Sequence, residues 1–81
     1  MGITVKVFAV LREILGVEEF YMRIHENISC QEVLALLKST HGERVSILES
    51  SLLAINGHYA GPHSRLSPGD ELAILPPVSG G

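Results

Sequence analysis

At 81 residues, 46% of them hydrophobic and 19% charged, the chain is one ordered domain, too short for two lobes with a cleft between them and too apolar for a disordered tail. Nine acidic side chains against six basic ones leave a net charge of -3, which disfavours nucleic acid, whose phosphates call for Lys and Arg in excess, and suits a basic protein partner. Cys30, the lone cysteine, excludes an internal disulfide; with no signal peptide and no apolar run near the roughly 20 residues of a membrane span, a cytoplasmic protein away from membranes is expected.

Along the chain, Ile3, Val5 and Val7 alternate with Thr4, Lys6 and Phe8, the period of two that marks a strand with one buried face. Phe8 falls on the wrong side of that pattern, so either a second layer covers it or it is exposed and awaits a partner. AVLREILG follows as a short helix that Gly16 can close. In EEFYMRI, Phe20, Met22 and Ile24 share one face of a second strand, antiparallel to the first. The clearest helix is ISCQEVLALLKSTHG. Ser29 can cap it with Glu32 three residues on, Ile28 can staple onto Val33, and Cys30, Val33, Leu34 and Leu37 form an apolar stripe, with Gly42 as a left-handed stop. ERVSILES has weak helical character and no assigned shape. LLAINGHYAG reads as a strand, an Asn56-Gly57 turn and a short return strand; LSPGD is a turn built on Pro68 and Gly69; ELAIL has the look of a central strand buried on both faces.

One main helix must then cover one face of a four- or five-stranded mixed sheet, an α+β arrangement that matches the β-grasp, or ubiquitin-like, fold. If the last strand runs parallel to the first, the connection should be right-handed. The expected division is a β-grasp domain over residues 1–75 and a flexible tail over 76–81, PPVSGG, in which Pro76 and Pro77 end the sheet and Gly80-Gly81 present a thin backbone and a terminal carboxylate.

Catalytic constellations are missing from this pattern. His25, His41, His58 and His63 lack partners at ligand spacing, so no metal is expected. Cys30 sits on the apolar stripe and reads as core. The pairs Glu18-Glu19 and Asp70-Glu71 are neighbours on strands and point to opposite faces, which rules out a shared acid/base role. No phosphate-binding glycine loop occurs. What remains is a terminal carboxylate and a set of apolar residues, Phe8, Tyr59, Leu75 and Val78, that alternation leaves near the tail's exit.

VFAVLREILG, LLAIN and LSPGDELAILPPVSGG together resemble the ubiquitin-like sulfur carriers, in particular the small subunit of molybdopterin synthase. That resemblance implies a protein with no bound cofactor. An ATP-dependent adenylating enzyme, similar to ubiquitin-activating enzymes, would activate the Gly81 carboxylate for conversion to a thiocarboxylate. A large synthase subunit, in a heterotetramer, would then grip the tail and pass sulfur to a pterin precursor. Carried over by position, Gly81 bears the sulfur, Gly80 is slim enough to thread a channel, Phe8, Tyr59 and Leu75 contact the partner, Pro76, Pro77 and Val78 form the base of the tail, and Arg12 makes either a polar partner contact or a helix-surface salt bridge. Residues 40–51 depart from the family pattern, and Phe8 stands alone where an aromatic pair is common. Sulfur carriers for thiamine synthesis or tRNA thiolation, and ubiquitin-like protein modifiers, share the features quoted.

Overall fold

In the computed structural model, which describes residues 1–25 and 27–77, the alternation of the first strand becomes β1 (Gly2–Val7) with Ile3, Val5 and Val7 fully buried. Helix α1 (Ala9–Leu15) follows and ends at Gly16, whose left-handed φ of 75° and N–H bond to the Arg12 carbonyl (2.8 Å) close it as expected. Strand β2 (Glu19–Arg23) returns antiparallel to β1, pairing Ile3 with Met22 and Val5 with Phe20. Helix α2 (Cys30–His41) starts on a complete capping box: Ser29 Oγ accepts from the Glu32 N–H at 3.1 Å and Glu32 Oε2 accepts from the Ser29 N–H at 2.8 Å. Two further helix-start donors, the Cys30 and Gln31 amides, bond to the carbonyls of Ser64 (3.0 Å) and Pro62 (2.8 Å), which straps the loop before the last strand across the head of the helix.

Strands β3 (Leu52–Ile55) and β4 (His58–Ala60) form a hairpin in which Asn56 and Gly57 both take positive φ, 50° and 84°, as a tight primed turn requires. Pro68 and Gly69 (φ 91°) make the next turn, closed by the Asp70 N–H on the Ser67 carbonyl, and β5 (Glu71–Leu75) completes the sheet. The order is β2-β1-β5-β3-β4, with β5 parallel to β1 and antiparallel to β3. This is the β-grasp, with five strands.

Three expectations change. Helix α2 was expected to cover the sheet by itself, but Leu11 of α1 and Val45 and Leu48 of a 3₁₀ segment (Gly42–Ser50), kinked at Val45, join Cys30, Val33 and Leu37 in the core. Gly42 has positive φ (67°) but ψ of -143°, outside the left-handed helical region, because the chain turns straight into that 3₁₀ segment. And β5 is central yet buried on one face only: Leu72 and Ile74 are enclosed, whereas Glu71, Ala73 and Leu75 are half-buried, since among the described residues no second layer packs on that side. No helix among the described residues is long and apolar enough to cross a membrane.

Candidate functional site

Because β1 and β5 run parallel, both end at the same edge of the sheet. Val7 pairs with Ile74 as the final rung between them, so the residue after each strand emerges side by side with the other. Phe8 continues the extended backbone (φ -132°, ψ 162°) and so lies on the uncovered face, 39% exposed. The turn that frees it is made by Ala9, whose φ of 52° is unusual for a residue with a Cβ and costs on the order of 1 kcal/mol.

The rungs across the open face can be read from the strand register. Lys6 is followed across the sheet by Ala73, Ala54 and Tyr59; the next rung holds Leu75 opposite Leu52. The two alanines in the centre leave a low floor, flanked by Tyr59 at 80% exposure and Leu52 at 60%. Lys6 is held by Glu71 at 3.5 Å. Phe8, Leu52, Leu75 and Tyr59 therefore form one apolar surface at the end of β5. Pro76 (half-buried) and Pro77 (exposed) follow directly, and Pro76, having no N–H, stops the ladder after the Leu52–Leu75 rung.

Of the residues singled out in the sequence, Phe8, Tyr59, Leu75, Pro76 and Pro77 are brought to this one region. Val78, Gly80 and Gly81 lie outside the described residues. Arg12 is exposed and bonds Glu18 Oε1 at 3.2 Å, the ion-pair alternative, while also lining, with Lys6, Phe8 and Glu19, a shallow cavity of about 190 Å³ beside the ends of β1 and α1. Leu52 escaped the sequence reading because all four residues of LLAI are apolar; only the pairing with β5 assigns Leu52 and Ala54 to the open face.

Other reactive groups sit elsewhere. Cys30 is completely buried and burial pushes its thiol pKa up, against thiolate chemistry. Asp70 is absorbed by structure: its carboxylate accepts from Asn56 Nδ2 at 2.9 Å and from the Ser67 N–H at 2.8 Å, fixing the turn before β5. Among the described residues no group of three or more His, Cys, Asp and Glu side chains is arranged to hold a metal. Among the described residues this surface is apolar, with Lys6 and Glu71 paired beside it.

Comparison with known proteins agrees with this geometry. The ThiS family model matches residues 5–81. The molybdopterin synthase sulfur carrier subunit of Chlamydomonas reinhardtii is 35% identical over 83 residues, covering all of both chains. Among solved structures, SAMP1 from Haloferax volcanii superposes with a TM-score of 0.85 at 27% identity over the whole of both chains. A chain from the Helicobacter pylori complex of subunits 1 and 2 of molybdopterin-converting factor superposes at 0.68 with 26% identity, again over both full lengths.

Proposed function

The chain belongs to the ThiS family, and from that premise we propose that it is a sulfur carrier, the small subunit of a molybdopterin synthase. One observation carries the reading: the parallel β1–β5 pair brings Pro76 and Pro77, the root of the C-terminal segment, beside the apolar surface of Phe8, Leu52, Leu75 and Tyr59. A partner that docks on that surface has the terminal peptide within its grasp. The complex of two subunits seen for the Helicobacter pylori protein supports a large subunit as that partner.

The chemistry follows from what a carboxylate can and cannot do. At neutral pH the Gly81 carboxylate is a poor electrophile. An ATP-dependent adenylating enzyme would join it to AMP with release of pyrophosphate; a sulfur nucleophile then displaces AMP, leaving a thiocarboxylate. The terminal sulfur is soft and nucleophilic, and in the large subunit it would attack the pterin precursor, with hydrolysis restoring the carboxylate for another round. Gly80 and Gly81, without Cβ atoms, suit a narrow channel, and Pro76-Pro77 stiffen the root of the tail. The domain contributes positioning and recognition, and the partners supply catalysis.

Intact mass spectrometry of the protein from its native cell tests this reading. One terminal oxygen replaced by sulfur is the expected result. Ladders of larger conjugates with no sulfur exchange would instead favour a protein modifier, and an unaltered chain under molybdenum-cofactor demand would contradict the carrier role.

A further inference from the structure

The opposite edge of the sheet carries a second surface, independent of the sulfur-carrier reading. Strand β2 is terminal in the strand order, and among the described residues only β1 pairs with it. The bonds flanking the pair show which backbone groups are used. The Val7 N–H donates to the Glu18 carbonyl (3.0 Å) and the Ile24 N–H to the Met1 carbonyl (3.2 Å), so in this register the even-numbered residues of β2 face β1. The N–H and C=O groups of Glu19, Tyr21 and Arg23 point outward, and all three side chains stand exposed on the open face.

We propose that this edge pairs with β2 of a second copy of the chain, antiparallel and centred on Tyr21. In that register each outward backbone group meets its equivalent, Tyr21 N–H to Tyr21 C=O across the two-fold axis. Glu19 of each copy falls opposite Arg23 of the other. On the helix side, Phe20 falls opposite Met22, both half-buried in the single chain and able to cover one another. Shifting the register by two in either direction puts Tyr21 opposite Glu19 or Arg23 and shortens the ladder, so charge and length select the same alignment. The Tyr21 ring leans back over β1, where a Cβ on Gly2 would collide with its tip, so the side chain does not hang over the outer edge of β2 and leaves its backbone open to pairing. An exposed edge is commonly protected by charge; here the charges at its two ends are opposite in sign and complement their own symmetry mates. The resulting sheet runs through both copies and leaves Phe8, Leu52, Leu75 and Tyr59 uncovered on each.

Sedimentation velocity on the full chain from micromolar to millimolar concentration tests the pairing, together with Glu19→Arg and Arg23→Glu. Each variant alone places like charges opposite one another and should weaken the dimer roughly tenfold. Mixing the two variants, or combining both substitutions in one chain, restores opposite charges and should recover it. Amide exchange should slow with concentration at Glu19, Tyr21 and Arg23 and stay unchanged at Phe20 and Met22. A wild-type chain that remains monomeric at millimolar concentration, or a dimer indifferent to both reversals, overturns the proposal. Arg23→Glu is the safer single variant, since Glu19 sits next to Lys6 within the sheet, and circular dichroism verifies that each variant is folded.

Discussion

The two faces of the same sheet are built from alternate residues of the same strands, yet they do different work. Ile3, Val5, Val7, Leu72 and Ile74 point to the helices and are sealed; Phe8, Leu52 and Tyr59 point the other way and are exposed, with Leu75 half-buried among them. Burial of a side chain of this size stabilises by about 1.5–3 kcal/mol, so the first face holds most of the folding energy of a small domain. Exposed apolar groups on the second contribute little to folding and gain value only when a partner covers them. Stability and recognition should therefore separate cleanly by face.

Leu72→Ala should test that separation with the largest effect. It removes a fully enclosed side chain, and a loss of about 2–5 kcal/mol is expected by calorimetry, enough to lower the melting temperature by more than ~10 °C. Leu52→Glu, on the neighbouring strand β3 but on the open side, should cost about 1 kcal/mol or less because the site is already wet. Binding to the large subunit, measured by titration calorimetry, should nevertheless weaken by roughly tenfold or more. If Leu52→Glu unfolds the protein, or binds as the wild type does, the division between faces is wrong.

Smaller effects sharpen the picture at the strapped end of α2. Ser29→Ala removes the cap and should cost about 1 kcal/mol in urea unfolding. The Ser29 N–H bonded to Glu32 lowers the carboxyl pKa of Glu32 in the folded state. Its contribution is therefore present above the ordinary glutamate range and is lost as pH falls through the lowered folded value. Glu32→Gln should accordingly be slightly less stable than wild type at neutral pH, with the gap closing as the solution is acidified. Smallest of all, Arg12→Ala breaks an exposed ion pair and should shift stability by less than ~0.5 kcal/mol. Weaker large-subunit binding by the same variant would show that Arg12 also faces the partner, and unchanged binding would reduce it to its bond with Glu18.

Much of this was legible in the sequence because the local signals agreed. The Ser29–Glu32 box, the Asn56-Gly57 and Pro68-Gly69 turns and the alternation in β1 and β2 each specify their own geometry without help from distant residues. The harder parts depended on tertiary contacts. ERVSILES has no strong helical period and becomes a 3₁₀ segment only because Val45 and Leu48 find the core. ELAIL reads as doubly buried from its apolarity, but whether a second layer exists is a property of the whole chain. Leu52 becomes visible once strand register is known. Phe8 was the informative exception: its break with the inward pattern of β1 allowed either a covering layer or an exposed residue, and only its exposure in the fold decides for the second.

On the proposed function, the domain offers its Gly81 carboxylate to proteins that dock on the surface of Phe8, Leu52, Leu75 and Tyr59, and those proteins supply the catalysis. Adding a single residue after Gly81 and assaying sulfur transfer with the activating enzyme and large subunit tests this most directly. The account predicts that thiocarboxylate formation and transfer disappear while the melting temperature and large-subunit docking through Leu52 and Phe8 are retained. Sulfur transfer at the wild-type rate from the extended chain would contradict it.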